Sequence, residues 1–494
     1  MMENPLENPP LDLAPDEFRR AAALLADFLA EYLGAIRERK VSTVPDPKEL
    51  RRAFDEPLPK HGQGFEALLS VLRSRILPNT MTIGSPRYFG LFNPSAIPVA
   101  ALCDLVISTL NQNQGAFLQS PAMTAIEDRV IRWLLTLVGF PEDGYGHFTN
   151  GGTAANLTAL KLARDRATPG VRDRGAMALA GRGRVYASDQ CHFSIERCVD
   201  VLGLGRAALV RIESDANYRL RPDVLAQRLR ADRAQGLLPL AVVATAGTTP
   251  TASIDPLEAI ADIAGEAQVF LHVDAAYGGA AILSDRLRPR LSGMARADSI
   301  TIDPHKWMFL PFESGCVLVR DRRQLIASFG EQPAYLKDSA DRFAVLPDFY
   351  REGLQGSRRA RAFTLWATVH VHGGDAFARA IERQVDLTLY LRDRVRALPD
   401  FEVCHEPDLG LLCFRLAPGG NTPEQQDELN RRIQRQVEAS GIAWFATTLL
   451  RGRVVLRLNI ESFRTTEADI ERTLTAIADA ASTPAPARTK VKAK

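Results

Sequence analysis

The chain has 494 residues, 46% hydrophobic and 24% charged, with 61 Lys and Arg against 59 Asp and Glu. That composition excludes a disordered or fibrous protein and suffices for two or three domains around a large core. A net charge of +2, with no basic stripe interleaved with aromatics, argues against nucleic acid as a partner, and no run of about 18 uncharged apolar residues offers a membrane span. The N-terminus "MMENPLENPPLDLAP" is acidic and proline-rich where a signal peptide is basic and then apolar, so a cytoplasmic protein is expected. Six cysteines with no C-x-x-C pair suit reduced, mostly buried thiols better than a disulfide frame or a zinc site.

Taken in chain order, apolar residues at helical spacing in "EFRRAAALLADFLAEYLGAI" predict a helical N-terminal arm over residues 1–84, too small for a core of its own. Pro and Gly in "SPRYFGLFNPSAIP" mark a loop. From about Gly144 to Gly330, the runs "RVYAS", "AALVRI", "LAVVATAG", "VFLHVDAA", "SITID" and "GCVLVR" alternate with helical stretches such as "GTAANLTALKLARDRA" and "DPLEAIADIAGEA". This alternation predicts an α/β domain over residues 85–372, a mostly parallel sheet with helices on both faces. A helix from about Gly373, then "FEVCHEPDLGLLCFRLA", "NRRIQRQVEASGIA" and "GRVVLRLNIE", predict a small α+β domain over 373–482 with a largely antiparallel sheet. Residues 483–494 read as a disordered basic tail.

Chemistry gathers at the predicted strand ends. In "GHFTNGGTAANLTAL" a Gly-Gly turn opens a helix, so a phosphate could sit on Gly152 and Thr153, although a plain strand-turn-helix joint capped by Thr153 reads the same way. In "FLHVDAAYGGA" Asp274 ends an apolar strand, where open α/β sheets bind ligands, or else caps its own loop. His192 in "YASDQCHFSIERCV" and Thr248 and Thr249 in "ATAGTTPTASIDP" are, one by one, more ordinary as capping or turn groups. Lys306, in "DSITIDPHKWMF", is an amine at the end of an alternating run, and an ammonium is costly to bury alone. Convergence on one rim is what singles these residues out. His370 and His372 stand i, i+2 on a probable helix and face apart, so no metal site is expected.

An anion nest, an imidazole, a carboxylate and an amine together fit pyridoxal 5′-phosphate, whose aldehyde takes a lysine amine and whose pyridine nitrogen needs a carboxylate. From about Ser85 to the final helices, "HVDAAY" and "DPHKW" in that order, with Ser299-Ile300, "ATAGTT", "DQCHFSIER" and "LRLNIESFRTTEADI", make the chain resemble a group II pyridoxal-phosphate-dependent amino acid decarboxylase. This is the aromatic-L-amino-acid decarboxylase family, of fold type I among the PLP-dependent transferases, with a mostly parallel seven-stranded sheet. The resemblance implies that Lys306 holds the aldehyde, Asp274 pairs with the pyridine nitrogen and His192 stacks on the ring. It implies that Gly152 and Thr153 hold the phosphate with help from Asp303 or His305, and that Thr249 and Ala276 line the cofactor. It further implies an obligate homodimer with the active site at the subunit interface and the arm wrapping the partner.

The family's Tyr-Phe-Pro is Leu91-Phe92-Asn93 here. Phe92 and Phe117 keep part of an aromatic substrate pocket, so an aromatic L-amino acid is favoured, with glutamate or 2,4-diaminobutyrate as alternatives within the same architecture. The stretch "KDSADRFAVLPDFYREGLQGSRRARAF" resembles the family's mobile catalytic loop, whose tyrosine protonates Cα after CO₂ has left. An ungapped alignment back from "SRRARAFTLW" puts Phe349 at that position with Tyr350 beside it. Tyr350 is the expected donor and the amine the expected product. Phenylalanine at that position implies instead decarboxylation coupled to oxidative deamination, giving an aldehyde. The Pro-His-Lys-Trp context speaks against a transaminase, and the presence of Lys306 and Asp274 against a non-catalytic binding module.

Overall fold

The computed structural model describes residues 11–331 and 346–482. The first strand, β1 (Tyr88–Phe89), belongs to a small sheet taken up below. The next seven form the large sheet: β2 (Tyr145–Thr149), β3 (Gly183–Ser188), β4 (Leu209–Ile212), β5 (Leu238–Thr245), β6 (Phe270–Asp274), β7 (Ser299–Ile302) and β8 (Gly315–Val319), in the order β2-β8-β7-β6-β5-β3-β4. The expected mostly parallel sheet is present. β3 pairs in parallel with β4 and β5, β5 with β6, and β6 with β7. β8 runs antiparallel to both β7 and β2. A parallel return needs a long crossover, usually a helix, and the β7–β8 connection holds none. The two reversals cancel, so β2 points the same way as β7 and its carboxyl end opens on the same rim.

The sheet is buried on both faces. Phe148, Val242, Val273, Ile300 and Leu318 are fully buried in its core, which is why these strands read as continuous apolar runs. Helix Gly152–Ala167, predicted from its small and apolar residues, buries Ala155, Ala159, Leu160 and Ala163.

The small sheet has the order β1-β11-β12-β10-β9, with β9 (Phe401–Val403), β10 (Leu411–Leu416), β11 (Trp444–Leu450) and β12 (Arg453–Asn459). It is antiparallel except at its edge, where β1 pairs in parallel with β11, Tyr88 opposite Trp444. Its core is separate, built on Phe414, Ile433, Leu456 and Ile477. The segment "SPRYFGLFNPSAIP" was expected as loop, and Tyr88–Phe89 within it is a strand. Long-range stacking of Tyr88 on Trp444, 5.4 Å between centroids, overrides the local Gly and Pro signals. After β1 the chain passes between the small sheet and the rim, held by Arg457 Nη1 on the Gly90 carbonyl (2.9 Å) and Asn459 Nδ2 on that of Leu91 (3.4 Å).

The N-terminal segment forms helices Pro15–Ala35, Pro47–Ala53 and Phe65–Val71. The first buries only Phe28 and leaves Phe18, Leu24, Leu29 and Leu33 exposed. Helix Pro98–Leu110 likewise exposes Leu102, Leu105, Val106 and Leu110. Arg37 and Arg87 both pair with Asp469 (2.8 and 3.2 Å), fastening this region to the last helix. Among the described residues no helix is long and apolar enough to cross a membrane. The tail expected from residue 483 onward lies outside the described residues.

Candidate active site

The carboxyl ends of β2, β3, β5, β6 and β7 open onto one cavity of about 410 Å³, within the range of small-molecule sites. β2 runs into Asn150-Gly151-Gly152. Gly151 takes φ +119°, open to glycine and strained for other residues, and a Cβ on Gly152 would stand 2.6 Å from Asp303 Oδ2. Helix Gly152–Ala167 then starts without a side-chain cap, leaving its first N–H groups and its positive end for an anion.

β6 delivers Asp274, 6% exposed. Its Oδ2 accepts from Asn156 Nδ2 (2.9 Å) and its Oδ1 from the Ala276 N–H (3.1 Å). Asn156 also donates to Ser194 Oγ (3.1 Å), while its Oδ1 accepts from Thr301 Oγ1 (2.7 Å) and His272 Nε2 (3.0 Å). An amide oxygen only accepts, so His272 carries its proton on Nε2. After β7, Lys306 Nζ stands 3.1 Å from Asp303 Oδ2. The other Asp303 oxygen is buried with no hydrogen-bond partner. After β3, His192 caps helix Phe193–Val201, its Nδ1 accepting from the Ser194 N–H (3.2 Å) and lying 2.8 Å from Ser194 Oγ. Capping fixes the ring at the cavity wall. Phe92 closes another side, stacked on Tyr277 at 4.0 Å, and Tyr277 stacks on Trp307 at 4.7 Å.

Burial alone would pull the Lys306 amine down, but Asp303 and Asp274 outweigh it and hold the group above its ordinary value. Burial lowers His192 against the pull of Asp274, and lowers His305 against Asp303. Both rings are therefore neutral near pH 7. His272 is pushed down to about 4 by burial.

Of the residues singled out from sequence, Phe92, Gly152, Thr153, His192, Thr249, Asp274, Ala276, Asp303, His305 and Lys306 all line this cavity. Phe117 and Tyr350 do not. Phe117 begins a single turn between two helices, its N–H on Asp348 Oδ1 (2.8 Å), and the Tyr350 N–H donates to the Gly115 carbonyl (3.0 Å). These two segments are fastened to each other. Residues 337–345 of the expected catalytic loop lie outside the described residues. Sequence reading missed Asn156, Ser194, Tyr277, Phe312 and Glu313, which also line the cavity. For Asn156 a signal existed: it stands i+4 from Gly152 and so faces the same way from the same helix.

A family model described as "Pyridoxal-dependent decarboxylase conserved domain" matches residues 47–417. The chain belongs to that family. The decarboxylase is 32% identical over 461 residues to the aromatic-L-amino-acid decarboxylase of Bacillus atrophaeus, covering 93% of this chain and 94% of the relative. It is 35% identical over 467 residues to the L-2,4-diaminobutyrate decarboxylase of Rhizobium meliloti, covering 94% and 92%. Among solved structures, that of Oryza sativa TDC with PLP and tryptamine superposes with a TM-score of 0.90 at 30% identity, covering 96% of this chain and 98% of that one. The protein is a pyridoxal-phosphate-dependent amino acid decarboxylase, a carboxy-lyase.

The residues present fit that cofactor. The uncapped helix start at Gly152 and Thr153 suits its phosphate, the glycine there is required by the close approach of Asp303, and the primary amine and the fixed carboxylate share one cavity.

Proposed function

We propose that the decarboxylase converts an aromatic L-amino acid to its amine and CO₂, with Lys306 carrying the cofactor. Support comes above all from the meeting of Lys306 and Asp274 in one cavity whose far end is an uncapped helix start. Pyridoxal phosphate, when bound, supplies an electrophilic carbon and a ring that accepts the electron pair released with CO₂. Asp274, held by Asn156 and the Ala276 N–H, keeps a proton on the ring nitrogen. The His192 ring, locked by Ser194, would stack on the cofactor ring, and Ala276 lines the same cavity. Gly152 and Thr153 would bind the phosphate, with His305 and Thr249 lining the same cavity. The Asp303 carboxylate is paired to Lys306 and repels a phosphate, so its part is to hold the lysine ammonium. The aromatic preference draws on Phe92 stacked against Tyr277 and on Phe312 at the lip, flat walls that suit a flat side chain.

Tyr350 is proposed as the group that returns the proton to Cα. Phe349 is 1% exposed, with the Arg358 guanidinium 4.2 Å from its ring, and is pinned in the core of its own subunit. Tyr350, beside it, is only partly buried. Since neither Tyr350 nor Phe117 reaches the cavity of its own chain, the reading includes a homodimer in which both serve the partner's site, with the exposed apolar faces of Pro15–Ala35 and Pro98–Leu110 at the interface.

The test is product analysis of the protein supplied with pyridoxal phosphate, on L-tryptophan, L-tyrosine, L-phenylalanine, L-glutamate and L-2,4-diaminobutyrate, scoring CO₂, amine, aldehyde and peroxide. Amine from the aromatic substrates is expected, with Tyr350→Phe shifting the product toward aldehyde and peroxide. Turnover confined to diaminobutyrate or glutamate overturns the substrate class, and stoichiometric peroxide from the unmodified enzyme overturns the donor.

A further inference from the structure

Arg457 stands on β12, the middle strand of the small sheet. Leu456 and Leu458 on either side of it turn into the core of that sheet, so strand alternation turns Arg457 to the opposite face, beside Cys413, its register partner on β10. That face meets the turn after β5. The Cys413 thiol donates to the Pro250 carbonyl (3.3 Å), and Arg457 Nε and Nη2 donate to the carbonyl of Thr249 (3.2 and 2.9 Å). Arg457 Nη1 donates to the Gly90 carbonyl (2.9 Å), and its guanidinium carbon lies 4.9 Å from the centre of the Phe92 ring. Thr249 and Phe92 both line the cavity that contains Lys306.

A guanidinium this deeply buried, 4% exposed, ordinarily sits against a carboxylate, because a charge is costly away from water. Here all three nitrogens go to backbone carbonyls instead, and burial draws the group below its ordinary pKa. Packing the sheet against the rim would be served as well by a leucine or a methionine. What the planar fork adds is direction: donors fixed relative to one another tie the Gly90 and Thr249 segments in one geometry, with the charge set against the Phe92 ring. Asn459, two residues on and therefore on the same face, extends the pattern. Its Nδ2 donates to the Leu91 carbonyl (3.4 Å) and its Oδ1 accepts from the Tyr277 hydroxyl (3.3 Å), and Tyr277 is the ring on which Phe92 stacks.

We propose that Arg457 is a positioning residue for side-chain recognition: from the small sheet it holds Phe92 and Thr249, two walls of the cavity, in the places where the substrate meets them. This rests on the reading of that cavity as the amino acid site.

Hydrogen exchange on the full-length protein without added cofactor reads the tethers directly. In Arg457→Met, amide exchange over residues 90–93 and 248–251 should rise together, on the order of tenfold, with β5, β10 and β12 unchanged and Arg457→Lys intermediate. Unchanged exchange at either segment, or a rise spread through the small sheet as a packing defect would give, overturns the proposal. A double-mutant cycle with Phe92→Leu then tests recognition, run on whichever amino acid of the product panel the wild type turns over best. Arg457→Met alone should raise KM roughly tenfold with kcat within about twofold; added to Phe92→Leu, it should raise KM by less than about twofold more, because the wall through which it acts is already gone. Additive effects, or a loss in kcat with KM unchanged, overturn the proposal. Should Arg457→Met not fold, Arg457→Lys carries both measurements. A preferred substrate that is not aromatic revises the proposed function and leaves the cycle readable. Failure of the cofactor reading shows separately, as no visible absorption band when pyridoxal phosphate is added, and exchange, which needs no cofactor, still decides on Arg457.

Discussion

Replacing Asn156 by Ala removes one amide that serves four buried partners. Asp274 Oδ2, Ser194 Oγ, His272 Nε2 and Thr301 Oγ1 all bond to it, at 2.7 to 3.1 Å, and Ser194, His272 and Thr301 are fully buried. A buried polar group left without its partner costs about 1–3 kcal/mol. Hydroxyls rotate to new partners and one water fills a polar gap of this size, so a net loss of about 3–5 kcal/mol is expected. That is a large part of the roughly 5–15 kcal/mol that a folded domain commands. It should appear as a lowered urea midpoint with an unchanged slope. The same change unfastens Asp274, and a misplaced catalytic group of this kind lowers turnover about 100-fold. Asn156→Asp separates the two effects: it keeps the shape and the acceptor but faces Asp274 with a second carboxyl, so cofactor affinity should fall more than stability. An Asn156→Ala variant with wild-type midpoint and wild-type affinity for pyridoxal phosphate would show that the network holds nothing in place.

Two further outcomes follow from the geometry. If Phe117 and Tyr350 serve the partner's site, co-refolding Lys306→Ala with Tyr350→Phe should restore amine formation to about a quarter of the wild-type level, since random pairing makes half the dimers mixed and each of these keeps one intact site; inactive mixtures would refute the shared site. His405, pushed down to about 4 by burial, accepts from the Cys413 N–H (3.1 Å). Its neutral form is favoured in the fold, so the stability it contributes is complete above about 6.5 and is lost as pH falls toward about 4, near 2 kcal/mol by pH 5. The free-energy difference between wild type and His405→Gln should therefore move by about that amount between pH 7 and pH 5, in the variant's favour. The difference is the right observable because Asp255 and Glu461, raised by burial to about 7 and about 8, gain stability over the same interval. A difference independent of pH would refute the assignment.

The large sheet was legible because its strands are short apolar runs separated by helical ones, and buried parallel strands leave little choice of partner. The direction of β8 was not legible, since "GCVLVR" reads the same either way and only the lack of a crossover helix decides it. β1 was hidden for another reason: two residues carry no period, and what makes Tyr88–Phe89 a strand is Trp444 more than three hundred residues later. In the site, the residues that sit at strand ends in recognisable company, Lys306 and Asp274 above all, could be read from the chain. For those that act by holding them the chain shows less: the spacing of Asn156 from Gly152 gives its face but not its partners. Asn156 bonds to four residues drawn from three other elements, and no local pattern records such a meeting.

Phe349 and Tyr350 show the same limit more sharply. Aligning the loop counts residues, and by count the position belongs to Phe349. What separates the two rings is burial: the Arg358 side chain that stacks on Phe349 also pairs with Glu127 (2.7 Å) and donates to the Phe148 carbonyl (2.6 Å). That ion pair is almost fully buried, and exposing one partner of such a pair costs about 3–5 kcal/mol. Moving Phe349 into a partner's cavity would strip its ring from this cluster, whereas Tyr350 beside it is only partly buried, with its backbone fastened to Gly115. If Tyr350 is the proton donor as proposed, Glu127 and Arg358, which do not line the cavity, fix that choice by holding Phe349, and Glu127→Gln should loosen the Phe349 turn and change the ratio of amine to aldehyde without altering the cavity that binds the cofactor.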